Sequence, residues 1–213
     1  LNPANGIGDT AQLELSATAI TMDSAAGAEN IDVDVLTGGV DVVFNSVSMA
    51  VDAGNVTIDV LEGGNASTAG AVSTADGTID ISVDNGSLTI SGGALTAGGA
   101  GAVSLDTTTA GDIITTVALS AAGAGGVTIA SFGDIQIADD TSDTVTSGTG
   151  GISITATGGD IELGADITTQ DNTISVTGTI QLTASVSLDS VGAGTGGDIT
   201  VAGEIHDTVA GTN

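Results

Sequence analysis

The sequence predicts an all-β protein: a parallel β-helix, or β-solenoid, with three short strands per coil, roughly 22–25 residues per coil and about eight to nine coils. Three observations predict this fold. Aliphatic residues alternate with polar ones, glycine-rich turns separate the alternating runs, and the runs recur at a nearly constant spacing. The first two indicate strands and turns, and the third arranges the strands into coils.

Alternation with a period of two runs through residues 31–35, 56–60 and 79–83, where Val or Ile occupies every second position. This pattern is typical of a strand with one buried face, and β-branched residues favour strands. A disordered chain is the alternative for a highly charged sequence with few aromatics. The mean hydropathy of +0.41 and a hydrophobic fraction of 40% argue against disorder.

The turns are rich in glycine, with 34 in the chain, and include Asp76-Gly77 and Asn85-Gly86. Such residues tolerate the positive φ angles that tight corners need. Proline would remove a ladder hydrogen bond, and the one proline, Pro3, precedes the first predicted strand. Two phenylalanines and no Trp or Tyr agree with a narrow core.

Three series of inward residues recur along the chain at similar steps. The first series is Val33, Val56, Ile79, Val103, Val127, Ile152, Ile174 and Ile199, with steps of 22 to 25 residues. The second is Leu88, Ile113, Ile135, Ile161, Ile180 and Ile205, and a looser third includes Met49, Val72, Leu95, Val117, Val145, Ile167, Val186 and Val209. Three strands per coil account for the three series.

The predicted domain organisation is simple. Residues 1–12 form an N-terminal linker or inter-subunit segment, and residues 13–213 form a single solenoid domain. The last predicted coil, around residues 197–201, shows neither an amphipathic helix nor the lysine or proline that usually protects an open edge. The sequence begins at Leu1 rather than Met, and its first residues do not show the pattern expected of a signal peptide. We therefore expect either a segment of a longer chain or a subunit whose end coil stacks on the next copy.

The charge is entirely of one sign. The sequence has 27 Asp and Glu, no Lys or Arg and one His, which gives a formal net charge of −27 at pH 7. Nucleic acids and anionic membranes attract positive surfaces. We therefore expect no nucleic-acid partner and no membrane insertion, whereas such a surface attracts cations.

Calcium is the cation that the acidic residues suggest. The triplet Gly-Asp-Ile occurs at residues 111–113, 133–135 and 159–161, so that its aspartates would form a column on one face. A separate acidic loop lies at residues 139–143. The weak candidate ligands are Asp139, Asp140, Asp143, Asp112, Asp134 and Asp160. Calcium takes 6–8 oxygen ligands, but solvated corners explain the same residues. No cofactor is required by the sequence.

We expect no enzymatic activity. Polysaccharide lyases with a β-helix fold need a basic residue, and sugar-cleaving sites usually offer aromatic platforms, so this composition suits neither. Paired carboxylates of a hydrolase stay open because Asp is abundant. His206 lacks a convincing triad partner, and no cysteine is present. Ice binding is another alternative, since Thr155 and Thr157 form a Thr-x-Thr pair, although neighbouring coils do not repeat it.

Gly-x-Ile-x-Ile runs, corners rich in Gly, Ala, Thr and Asp, and the absence of Cys resemble the filamentous-haemagglutinin-like adhesins and the β-strand-repeat surface proteins of bacteria. Residues 2–7 are similar to the Asn-Pro-Asn-Gly-Ile motif of that family's secretion domain, with Ala4 inserted. The resemblance implies export to the bacterial cell surface or beyond it, attachment and extended fibrous architecture.

The expected function is a structural subunit or tandem repeat of an extracellular filament or adhesin that associates head to tail through its terminal coils. The alternative is a rigid stalk of a large surface adhesin, with binding specificity elsewhere. A cell-surface or matrix partner is left open, as are the polysaccharide-acting enzyme and the ice-binding solenoid.

Overall fold

The structure, a computed structural model, describes residues 7, 13–23, 30–49, 53–138, 144–192 and 194–207. The strands are β1 (Leu13–Leu15), β2 (Ala19–Asp23), β3 (Ile31–Leu36), β4 (Val42–Met49), β5 (Val56–Leu61), β6 (Ala66–Thr68), β7 (Val72–Thr74), β8 (Ile79–Val83), β9 (Leu88–Ile90), β10 (Leu95–Ala97), β11 (Val103–Thr107), β12 (Ile113–Thr115), β13 (Leu119–Ala121), β14 (Val127–Ser131), β15 (Ile135–Ile137), β16 (Thr144–Ser147), β17 (Ile152–Leu163), β18 (Asp166–Thr169), β19 (Ile174–Leu182), β20 (Leu188–Asp189), β21 (Ile199–Ala202) and β22 (Ile205–Asp207).

These strands form a parallel β-solenoid of about seven turns, as the sequence predicts. Each turn contributes a strand, or part of one, to three rows. The first row contains β1, β3, β5, β8, β11, β14, β21 and the starts of β17 and β19. The second row runs from the starts of β2 and β4 through β6, β9, β12, β15 and the ends of β17 and β19 to β22. The third row runs from the ends of β2 and β4 through β7, β10, β13, β16 and β18 to β20. The number of turns is thus close to, and slightly below, the predicted eight to nine coils.

The first series of inward residues is confirmed from Val56 onward. Val56 pairs with Ile79, Ile79 with Val103, and the column continues in register to Ile199. Its first member is wrong by two residues, because Ile31 rather than Val33 pairs with Val56. Ile31 and Val33 are both fully buried, so the alternation of inward and outward residues does not show which of them stacks on Val56. The hydrogen-bond register between β3 and β5 shows that it is Ile31.

The second series is confirmed over its whole length, from Leu88 to Ile205. The third series is correct at Val72, Leu95, Val145 and Ile167 and wrong by two residues at three other members. The stacked residues are Val47, Leu119 and Leu188, each two positions from the predicted Met49, Val117 and Val186. Val209 lies outside the described residues.

The core consists of the columns that these inward residues form. Val103 and Leu105 of β11, for example, lie against Val127 and Ile129 of β14, and all four are fully buried. Neighbouring coils stand about 4.8 Å apart, the spacing of adjacent strands. Each coil therefore covers the core of the next.

Glycine allows the coils to approach this closely at one corner. A Cβ atom at Gly101 would lie 1.9 Å from the carbonyl oxygen of Gly77, and one at Gly125 would lie 2.0 Å from that of Gly101. Such contacts are far shorter than any van der Waals separation. Glycine is thus required where this column of corners passes into the first row.

Two observations concern the ends of the predicted domain and the membrane. Ile7, which belongs to the predicted linker 1–12, forms a parallel bridge with Ile31 and is buried, so this residue lies on the solenoid. The boundary itself stays a prediction. The described residues include no helix with the length and apolar character needed to span a bilayer.

Candidate functional site

The predicted aspartate column exists and is longer than the sequence suggested. In six successive coils, the residue immediately before the second-row segment carries a side-chain oxygen, and we call these six residues the corner ladder. Its members are Asp41, Asn65, Ser87, Asp112, Asp134 and Asp160. In each step, that oxygen accepts the backbone N–H of the member in the next coil.

The distances show that the corner ladder is continuous. The amide nitrogen of Asp134 lies 2.9 Å from Oδ1 of Asp112, and that of Asp160 lies 2.8 Å from Oδ1 of Asp134. At the end of the column, Gln181 donates from Nε2 to Oδ2 of Asp160 over 2.6 Å. The aspartates thus act first as hydrogen-bond acceptors that hold successive coils in register.

The structure describes three of the six candidate calcium ligands. Asp112, Asp134 and Asp160 follow one another in the column, and the first two line a shallow depression with Gln136 and Glu162. Asp139, Asp140 and Asp143 lie outside the described residues. Among the residues that the structure describes, no three His, Cys, Asp or Glu side chains are grouped to hold a metal ion. Calcium binding stays a prediction.

A second acidic feature lies on the outward side of the first row. We call it the acidic face, and it belongs to the N-terminal half of the solenoid. Its members are Glu14, Asp32, Asp34, Asp59, Asp80 and Asp106. The positions that continue its columns in later coils are occupied by Ala, Ser and Thr: Thr128, Ala130, Ser153, Thr155, Ser175, Thr177, Thr200 and Ala202.

Two carboxyls of the acidic face have raised pKa values. Desolvation raises the pKa of Asp34, and repulsion from Asp32 and Glu14 raises it further. Desolvation likewise raises the pKa of Asp106, with a smaller contribution from the charge of Asp80. Asp34 and Asp106 therefore bind a proton more readily in the folded state.

Asp84 shows the opposite behaviour. Its Oδ1 accepts hydrogen bonds from the hydroxyls of Thr109 and Thr108, and these bonds lower its pKa. Hydrogen bonds that favour the charged form of a carboxyl always act in this direction.

The other candidate residues from the sequence fall on the surface. Nε2 of the exposed His206 lies 3.2 Å from Oε2 of Glu204. Thr155 pairs in register with Thr177, but Ala130 and Ala202 continue this column on either side, so the paired threonines extend over two coils only.

The last coil leaves apolar side chains open to solvent. Ile199 and Ile205 are 45% and 57% exposed, whereas Ile174 and Ile180, their partners one coil earlier, are buried. In the described part of the chain, β21 and β22 pair only with β19. Together they form an unfinished edge of the sheet, which we call the C-terminal edge.

Comparison of the chain with models of known protein families found no match. Comparisons with curated proteins and with solved structures found no significant match either. The structure shows the β-solenoid, whereas the resemblance to bacterial adhesins gains no support from a family match.

Sequence reasoning missed the first half of the corner ladder. Asp41, Asn65 and Ser87 differ in type, so no repeated triplet marks them. Extending the second series toward the N-terminus, to Val42 and Ala66, would have found them, because each ladder residue immediately precedes a member of that row.

Proposed function

We propose that this chain is a structural subunit or tandem repeat of an extracellular filament or adhesin, and that it assembles head to tail through its terminal coils. One observation carries the proposal: the inward residues Ile199 and Ile205 of the last described coil are exposed, although their column partners one coil earlier are buried. A further coil would bury both.

The solenoid suits a mechanical role. About seven turns at ~4.8 Å each make a rod of roughly 34 Å. The backbone hydrogen bonds of all three rows run along the rod axis, so many bonds share a load applied along it. The corner ladder adds side-chain bonds with the same direction.

The uniform negative charge is compatible with such a rod. Carboxylates on the outward positions repel one another between neighbouring rods and so oppose lateral association. The C-terminal edge, in contrast, presents Ile199, Val201 and Ile205 at its inward positions, where a further coil would meet apolar rather than charged side chains. Contact along the axis is therefore favoured over contact side by side.

The alternative is a rigid stalk within a larger surface adhesin. The same continuous columns support it, because a stalk needs stiffness but no contact between copies. Its terminal coils would be covered by the neighbouring parts of one long chain. A catalytic role is not part of the proposal.

Negative-stain electron microscopy and size-exclusion chromatography of the purified 213-residue chain test the proposal. We expect axial polymers as wide as one solenoid. As a control, the double variant Ile199→Asp and Ile205→Asp should retain the β-sheet circular dichroism and remain monomeric. Short monomeric rods from the unaltered chain would support the stalk instead. Cleavage of polysaccharides by the purified chain would contradict both.

A further inference from the structure

We propose that the C-terminal edge of one copy pairs in parallel with β1 of a second copy, in the register that places Ala202 against Glu14. This inference rests on the proposed head-to-tail assembly and specifies the two surfaces, their polarity and their alignment. The occupant of the C-terminal edge is thus a second copy of this chain.

The backbone supplies the first argument. In the described residues, β21 pairs only with β19, and β1 pairs only with β3, so that each has one side without a strand. Every pairing in the solenoid is parallel, and a parallel edge is extended by a strand of the same direction. The first-row strand of another copy has that direction when the two rods share one axis and one polarity.

The inward side chains supply the second argument. Leu13 begins the column that passes through Val33 and ends at Val201. Leu13, Leu15 and Val201 are only partly buried, unlike the interior members of their columns. With Leu13 of the second copy above Val201, the aliphatic column continues across the junction and covers apolar surface at both ends.

The outward charges select the polarity. The column that begins with Glu14, Asp34 and Asp59 ends with Thr177 and Ala202. Head-to-tail pairing places the carboxylate of Glu14 beside the methyl group of Ala202. Head-to-head pairing would bring two such acidic ends together, and the chain has no Lys or Arg to neutralise them.

Tail-to-tail pairing avoids that repulsion but fails on other grounds. Two copies related in this way present antiparallel strands to each other, which contrasts with all pairings within the solenoid. It would also close after two copies and leave both β1 edges open. An open head-to-tail contact uses both ends of every copy.

Disulfide trapping tests the register directly, because the chain contains no cysteine. Two variants, Glu14→Cys and Ala202→Cys, are mixed and oxidised, and disulfide-linked dimers are resolved by non-reducing electrophoresis. Directly paired residues on neighbouring parallel strands lie about 4.8 Å apart. This separation is within the Cα–Cα range of disulfides, ~4.4–6.8 Å. We expect dimers in the mixture and none in either variant alone.

A matched control uses Thr177→Cys in place of Ala202→Cys. Thr177 faces outward in the same column but lies one coil further from the junction, at about 9.6 Å from Glu14 of the second copy, beyond the reach of a disulfide. Mixing it with Glu14→Cys should give no dimer. Since removal of Glu14 also weakens head-to-head repulsion, the absence of dimers from Glu14→Cys alone is a stringent result.

The outcomes separate this inference from the proposed function. Polymers that form without the mixed disulfide, or with disulfides in one variant alone, would overturn the register or polarity and leave filament assembly intact. A chain that stays monomeric at all concentrations and gives no mixed disulfide would overturn both. A disulfide between Glu14→Cys and Ala202→Cys, with none between Glu14→Cys and Thr177→Cys, supports the inference even where polymers are short.

Discussion

Replacing Asp134 separates the two effects that meet in the corner ladder. Its Oδ1 accepts the N–H of Asp160 at 2.8 Å, while its charge faces those of Asp112 and Asp160 one coil away on either side. Asp134→Asn keeps a side-chain oxygen in place and removes the charge. Asp134→Ala removes both.

The two magnitudes are similar and opposite in sign. A net hydrogen bond contributes about 0.5–1.5 kcal/mol to the free energy of unfolding. Two like charges 4.8 Å apart repel by roughly 0.9 kcal/mol in water of dielectric constant near 80, and salt screens this repulsion. Asp134 faces two such charges, so removing its own relieves up to roughly 1.7 kcal/mol before screening. At low salt we therefore expect Asp134→Asn to be about 1–2 kcal/mol more stable than the unaltered chain. Asp134→Ala, which also loses the hydrogen bond, should lie close to the unaltered chain.

High salt should change this order in a defined way. Once the repulsion is screened, Asp134→Asn should match the unaltered chain, and Asp134→Ala should be less stable by the value of the hydrogen bond. Urea unfolding followed by circular dichroism, at low and at 1 M NaCl with a chelator present, gives the free energies from midpoint and slope. The gap between the two variants should persist at both salt concentrations.

Two results would refute this reasoning. If Asp134→Asn is as destabilising as Asp134→Ala, the oxygen of the ladder is not the stabilising element and the charge is. If the unaltered chain alone gains stability from added Ca²⁺, the carboxylate holds a cation, and the calcium prediction from the sequence is supported. Equal stability of all three proteins would show that the ladder contributes nothing measurable.

Three further predictions concern the face, the core and the corners. The pKa of Asp106 is raised in the folded state, so its stabilising contribution is present below the ordinary pKa of 3.8 and is lost as the pH rises through the folded-state pKa. Asp106→Asn should therefore raise the urea midpoint at pH 7 and change it less near pH 3.8. Leu105→Ala in the buried column should cost about 2–5 kcal/mol, whereas Ile199→Ala, at the exposed edge, should cost clearly less in the monomer; equal costs would mean that the edge is covered. Gly101→Ala should cost about 1–3 kcal/mol by overpacking, while Gly151→Ala, whose Cβ would meet its nearest atom at 3.3 Å, should be tolerated, as thermal unfolding would show.

The rows of the solenoid were accessible from the sequence because strand and coil each impose a period. The exact pairing of residues between neighbouring coils could not be read from the sequence. Val33 and Ile31 both face inward, so only the ladder hydrogen bonds identify Ile31 as the residue stacked on Val56. The same ambiguity of two residues displaced Met49 relative to Val47.

The residue types alone also did not predict the polar side chains in the core. Thr107 and Ser131 continue an inward column that begins with aliphatic residues, and their hydroxyls lie 3.0 Å apart in the core. Both donate to the carbonyl oxygen of Gly111 at 3.1 Å. A polar residue in an alternating run predicts an outward position, and only the carbonyl at this corner makes the inward one favourable.

The aspartate column was predictable and its role was not, since role depends on what each oxygen contacts. The sequence suggested that Asp112, Asp134 and Asp160 share a face, and calcium was one way to relieve their repulsion. Backbone N–H groups of the next coil provide another, because each donates to a carboxylate oxygen along the column.

A chain without Lys or Arg must hold itself together without ion pairs to basic side chains, and the solenoid makes this feasible. Its cohesion comes from aliphatic columns and backbone ladders, neither of which needs a positive charge, while the carboxylates are distributed along outward positions. The acidic face then ends partway along the rod, and the last coils are nearly neutral on that side. This gradient makes the outward side of the first row differ between its two ends. Glu14 of one copy can lie beside Ala202 of another without repulsion between like charges, whereas two Glu14 side chains cannot. The charge distribution of this row therefore fits the proposed head-to-tail assembly better than a head-to-head one.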